Sequence, residues 1–224
     1  TFVDVSDEAW DLLESGDLNT LLKVAKNECA LVIFSEHDDE YPDAAADGKF
    51  LAEEPGVAAY GGRPLAGLTK ASGSVGPRYD LTATQKANLK AKGCNYVVNV
   101  DNNLFVEYGK TAAGKERRMV IAKHWLEVMV AADGFAYKMN QKSVLFDNTM
   151  LAFYDATLRK YLDEMGPKEK NGRGVIESYT INLPELSDFT ALNKTENNVP
   201  MLEAFTATGT YEGHTFELTG SITM

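Results

Sequence analysis

The segment Gly109-Lys110-Thr111-Ala112-Ala113-Gly114-Lys115 fits G-x-x-x-x-G-K, the spacing of a phosphate-binding loop. Such a loop wraps backbone N–H groups around phosphates, neutralises them with its lysine and holds Mg²⁺ on a following Ser or Thr. Position 116 is Glu116, which removes that hydroxyl and repels phosphate. A plain basic loop between a strand and a helix is the first reading. A nucleotide-binding enzyme using Gly109 to Lys115 is the alternative. His37-Asp38-Asp39-Glu40 with Asp43 offers oxygen ligands and an imidazole, but not the spacing or central glycine of a calcium loop. It reads as the acidic start of a helix. His124 beside Trp125 lacks an H-x-x-x-H partner and is expected to be partly buried and hydrogen-bonded. His214 reads as an exposed turn residue. There is no G-x-S-x-G, and no nucleophile–base pair stands out. No catalytic residue, cofactor or metal is expected.

Charge distribution says more than any motif. From His37 to Glu54 the acids Asp38, Asp39, Glu40, Asp43, Asp47, Glu53 and Glu54 face only Lys49. From Lys110 to Arg118 the bases Lys110, Lys115, Arg117 and Arg118 face only Glu116. Two solvated faces explain this. So does a head-to-tail contact in which the acidic patch of one copy meets the basic patch of the next.

These residues need elements to hold them. Ser6 starts a helix that Gly16 ends, and a second carries Leu18, Leu21, Leu22 and Ala25. Cys29 to Phe34 reads as a buried strand. Pro42 suits the first position of a helix continuing to Glu53. Residues 56–80, rich in Gly, form a long loop of the kind that carries function or contacts. Thr82 and Gln85 make a capping box, and Gly93 closes that helix. Tyr96–Val100 and Leu104–Tyr108 flank Asp101-Asn102-Asn103 as a hairpin. Ile121, Trp125, Val128, Met129 and Ala132 predict the buried face of a helix. Met150, Tyr154, Leu158, Tyr161, Leu162 and Met165 predict another, started by Asp147 or Asn148 and ended by Gly166-Pro167. The alternation from Val175 to Leu183 predicts a strand, and 184–200 reads as irregular. Leu202–Thr210 and Thr215–Met224 form a last hairpin, the final strand carrying Phe216, Leu218 and Ile222 on one face.

The chain has 224 residues, 33 acidic and 22 basic, for a net charge of −11. With 44% hydrophobic residues it has a globular composition and can bury a core without disulfides. The charge argues against general affinity for nucleic acid or anionic membrane. The longest apolar run, Ala30–Phe34, is too short to span a bilayer. Thr1-Phe2-Val3-Asp4 lacks the regions of a secretory signal. Cys29 and Cys94 form no C-x-x-C and read as small core residues in a reducing setting. The expected fold is α+β, with helices on a mixed sheet drawn from 29–34, 94–108 and 174–224 and a C-terminal hairpin strand.

Several segments, in order, resemble the tail sheath proteins of contractile-tailed bacteriophages, in particular a divergent myophage family. They are Thr82-Ala83-Thr84-Gln85-Lys86-Ala87-Asn88-Leu89, then Lys92-Gly93-Cys94-Asn95 leading the Tyr96–Tyr108 hairpin. Gly109–Gly114, Trp125-Leu126 and the closing Leu218-Thr219-Gly220-Ser221-Ile222-Thr223-Met224 follow. The resemblance covers about residues 28–224, with 1–27 a helical N-terminal segment. Family members are usually longer, so the chain reads as a fragment or a short member. Tyr137-Lys138-Met139 departs from the longer apolar helix that the resemblance implies there. The resemblance implies a structural protein of the virion, made in the host bacterial cytoplasm. Its partners would be copies of itself in stacked hexameric rings, the tail tube protein and the baseplate. Contraction would drive the tube through the host envelope without consuming nucleotide. A small tail-associated adaptor is the further alternative. In this reading Asp38, Asp39, Glu40, Asp43, Lys110, Lys115, Arg117 and Arg118 meet between subunits, with Phe216, Leu218 and Ile222 joining a neighbour's sheet.

Overall fold

The computed structural model describes residues 22–35, 40–68, 71–72, 76–77, 79–101, 103–141, 148–183, 201–211 and 214–223, with 71–72, 76–77, 201–211 and 214–223 described by backbone pairing. The expected N-terminal helices up to Leu21, the turn at His37–Asp39, the cap at Asp147 and segment 184–200 lie outside these residues. The fold is α+β. The chain forms two compact units, residues 1–120 and 121–224.

In the first unit, β1 (Ile33–Phe34) lies parallel to β5 (Asn95–Val100), with Ile33 opposite Asn95. β5 turns through two residues into antiparallel β6 (Asn103–Glu107), which pairs with β2 (Pro64–Leu65). The sheet order is β1-β5-β6-β2, and β3 (Ala71–Ser72) and β4 (Gly76–Pro77) form a small separate ribbon. The expected strand from Cys29 shortens to two residues, because Asn27 Oδ1 accepts from the N–H groups of Cys29 and Ala30 and turns the chain there. Segment 56–80 is not all loop, since it supplies β2, β3 and β4.

Helix α1 (Pro42–Phe50) starts with Pro42 and buries Ala46 and Phe50. Helix α2 (Ala83–Lys92) carries the full capping box between Thr82 and Gln85, and Gly93 ends it in the left-handed conformation. Its Leu89 packs in a cluster with Phe34, Leu81, Cys94, Tyr96 and Val98. Asn95 and Val97, also fully buried, point to the other face of β5, so both faces of its first four residues are covered.

In the second unit, α3 (Arg117–Asn140, crossing in from the first) and α4 (Asn148–Met165) form an antiparallel helix pair. Trp125 meets Tyr161 edge to face at 5.5 Å, and Tyr137 stacks on Phe153 at 4.2 Å. A Cβ on Gly134 would stand 2.9 Å from the Tyr154 hydroxyl, so the helices approach closely there. The α4 stripe is buried as expected, with Thr157 added. The α3 stripe is not. Ala122, Leu126 and Val130 face the core, while Val128 is 65% exposed and Ala132 is exposed.

After α4, the N–H groups of Arg173, Val175 and Ile176 return to the carbonyls of Glu164 and Met165 and satisfy the helix end. β7 (Ser178–Asn182), β8 (Met201–Tyr211) and β9 (His214–Thr223) form an antiparallel sheet in that order. The single mixed sheet expected from sequence is thus two sheets, one in each unit. β7 pairs with Thr206–Thr210, so among the described residues the outer half of β8 pairs with β9 alone. Among the described residues no helix is long and apolar enough to cross a membrane.

Candidate interaction site

The G-x-x-x-x-G-K segment joins β6 to α3 and is fastened from within. Lys110 N–H donates to Asn95 Oδ1 (2.9 Å), Thr111 N–H to Lys115 C=O (2.8 Å) and Ala112 N–H to Ala30 C=O (2.9 Å). Ala113 N–H donates to Asn27 C=O (3.2 Å) and Gly114 N–H to Thr111 C=O (2.8 Å). A phosphate cradle needs such N–H groups turned toward the ligand, and these five are spent on the chain itself. Gly109 has another purpose. Its φ is +64°, and a Cβ there would stand 2.4 Å from Gly61 N, so two backbones touch where a side chain cannot fit.

Asn95 holds this loop to the sheet. Its side-chain amide is fully buried, donates to Val32 C=O (3.0 Å) and Lys110 C=O (2.7 Å), and accepts from Lys110 N–H.

The basic run is largely engaged. Arg117 donates to Cys29 C=O (2.6 Å), Arg118 pairs with Glu116 (2.8 Å), and the Lys110 ammonium lies 5.3 Å from the Tyr108 ring centre. Lys115 is exposed. The acidic run is similar. Glu40 accepts from Tyr79 OH, Asp47 accepts from Tyr60 OH (3.1 Å) and Glu53 pairs with Arg63 (2.7 Å). Burial, then the Asp47 carboxylate, pushes the Tyr60 hydroxyl up to about 12. Asp43 is exposed in the first turn of α1. Asp38 and Asp39 lie outside the described residues. Among the described residues, most members of each run thus have intrachain partners.

What sequence reading missed is a cleft of about 330 Å³ lined by Lys23, Lys26, Glu28, Lys90, Tyr108 and Lys115, with backbone from Gly93 and Ala112–Gly114. Its lysines come from three distant stretches, so no run of charge announces it. Lys23 donates to Ala91 C=O. Lys90 pairs with Glu107 (2.8 Å). Hydrogen bonding to Glu107 raises the Lys90 ammonium above its ordinary value. Burial pushes the Glu107 carboxyl up, but the bond and charge of Lys90 outweigh it and the net direction is down. Lys26, at φ +49°, and Lys115 have no carboxylate partner among the described residues.

In the second unit, Tyr161 OH donates to Asp133 Oδ2 (2.7 Å), and Lys160 donates to the same oxygen (3.2 Å) and to Tyr161 O (3.1 Å). A Tyr–Lys pair serves as an acid when the phenol pKa is lowered. Burial raises that of Tyr161, so the cluster acts as a clasp between α3 and α4. His124 is exposed, not partly buried, and His214 begins β9. Cys94 is buried but Cys29 is exposed. Among the described residues no group of three or more His, Cys, Asp or Glu is placed to hold a metal ion. In β9, Phe216 stands opposite Gly209, Leu218 opposite Ala207 and Ile222 opposite Leu202.

No protein-family model matches the chain, and neither a curated protein nor a solved structure matches it.

Proposed function

We propose that the chain is a structural subunit of a contractile bacteriophage tail sheath, working by assembly with copies of itself around a tail tube and not by turnover of a substrate. The observation that carries this reading is the β8–β9 ribbon. Beyond the reach of β7, these two strands pair only with each other among the described residues. A two-stranded ribbon is marginal alone and its free edges invite a further strand. A neighbour's sheet supplies one, as the ordered sheath-like segments lead one to expect. The G-x-x-x-x-G-K loop supports the same reading, because its amides from Lys110 to Gly114 fix a turn within the chain. The protein then resides in the virion tail after synthesis in the host bacterial cytoplasm, with tube and baseplate as its other partners.

Negative-stain electron microscopy of concentrated protein is the test. Rings or tubes are expected. Particles that stay monomeric at every concentration would instead indicate the adaptor reading. Micromolar ATP or GTP binding, lost in Lys115→Ala, would restore the enzyme reading.

A further inference from the structure

We infer that the lysine cleft of one copy receives the acidic segment Asp38–Asp43 of a second copy. This rests on the assembly reading and names the contact that reading leaves open. The cleft gathers Lys23, Lys26, Lys90 and Lys115 against Glu28 in a chain whose net charge is −11. Lys90 is balanced by Glu107 and Lys23 is held on Ala91 C=O, so the charge left to attract an outside anion is that of the other two lysines. These two, Lys26 and Lys115, are exposed and unpaired among the described residues.

The wall chemistry selects the kind of anion. A compact phosphate is best held by converging N–H groups or a guanidinium fork. Here the amides of Thr111 to Gly114 are spent, and the nearby Arg117 is fixed on Cys29 C=O. What remains is separate point charges on flexible stems, which suit carboxylates spaced along a peptide.

The Lys26 turn is itself braced. Lys26 N–H bonds Lys23 C=O, Asn27 N–H bonds Leu22 C=O and Asn27 C=O accepts from Ala113, each at 3.0–3.2 Å. The left-handed backbone at Lys26 costs about 1–2 kcal/mol, and this bracing keeps it in place.

The occupant follows from charge complementarity. Asp38, Asp39, Glu40 and Asp43 place four acids within six residues, the densest acidic cluster in the sequence. Glu40 is engaged by Tyr79, and Asp43 is exposed. Cleft and segment are different stretches of the chain, so a contact between copies is head-to-tail, the type that closes rings or propagates tubes.

The experiment uses the full chain as an equal mixture of ¹⁴N- and ¹⁵N-labelled protein, joined by a zero-length carbodiimide and read by mass spectrometry. Expected are mixed-label links from Lys26 or Lys115 to the peptide holding Asp38–Asp43. Lys26→Glu/Lys115→Glu should stay folded by circular dichroism yet require about tenfold more protein to assemble, the scale of a few partly screened pairs. Asp38→Lys/Asp39→Lys added to that variant should restore assembly. Same-label links only would place the contact within one copy and overturn the proposal. Rings that form normally from the double lysine variant would overturn it while leaving the assembly reading intact. Pyrophosphate binding by calorimetry, lost in the double variant, would make the cleft a small-anion site and overturn it as well. Absence of association under every condition would remove the assembly reading and this occupant together.

Discussion

At the scale of single residues, Asn95 does what a motif search assigns to ligand chemistry. Its amide makes three hydrogen bonds inside the sheet–loop junction, and Asn95→Leu would strand the N–H and C=O of Lys110. Loss of buried partners costs about 1–3 kcal/mol per group. We expect Asn95→Leu to lower stability in urea unfolding by about 2–4 kcal/mol; a loss below about 0.5 kcal/mol, the range of ordinary surface sites, would mean the loop is held elsewhere. The two glycines of the G-x-x-x-x-G-K pattern give a sharper contrast. Gly109→Ala drives a Cβ into Gly61 backbone, whereas Gly114 has φ +78° but nothing within 4 Å of a Cβ. The second substitution should cost about 1–2 kcal/mol for the left-handed backbone alone, and the first should cost clearly more. Equal losses in thermal unfolding would show that the Gly61 contact is not real. The sequence displayed both glycines but not the reason for Gly109, because Gly61 lies far away along the chain.

At the scale of elements, the α3–α4 clasp carries a pH signature. The hydrogen bond from Tyr161, opposed by burial and reinforced by Lys160, holds the Asp133 carboxyl below its ordinary value of 3.8. A carboxyl whose folded pKa is depressed contributes stability above its unfolded pKa and loses it as pH falls through the folded pKa. Acid unfolding should therefore be less steep below about pH 4 in Asp133→Asn. An identical acid limb in wild type and variant would show that the clasp does not contribute. Tyr161→Phe keeps the ring against Trp125 and should cost about 0.5–1.5 kcal/mol for the lost hydroxyl. These helices also show what was legible. The α4 stripe stood out because polar residues such as Asp155, Arg159 and Lys160 separate its apolar members. From Val128 to Ala132, α3 is apolar at every position. Periodicity could not choose a face there, and the packing of Gly134 and Tyr154 chose one about a quarter-turn away from the expected stripe. Local signals fared best. The capping box, the Gly93 stop and the two hairpins depend on neighbours in sequence, whereas the parallel pairing of β1 with β5 and the lysine cleft do not.

At the scale of the whole molecule, the C-terminal strand decides whether this chain is built to join others. β9 is paired with β8 along its length inside the chain, so any link to a neighbour uses the strand's other edge and not an unpaired arm. Ten residues at about 3.3 Å each give a ribbon of roughly 33 Å, long enough to reach across a subunit boundary. Its main-chain groups on the edge away from β8 would supply affinity, and a neighbour's strand would extend a sheet that has three strands among the described residues. Deleting 214–224 removes this edge and exposes β8 in its place. The helices α3 and α4 hold each other through Trp125, Gly134 and Tyr137, contacts that do not involve β9. We therefore expect the truncated chain to keep its helical circular dichroism and its helix-pair stability while losing polymers in electron microscopy. Retained polymers would assign the linking role to another surface, with the lysine cleft first in line. Collapse of the helical signal would show that β9 stabilises its own unit, and a less disruptive variant would then be needed: a proline at an outward-bonding position of β9, which blocks an added strand while leaving the β8 ladder paired.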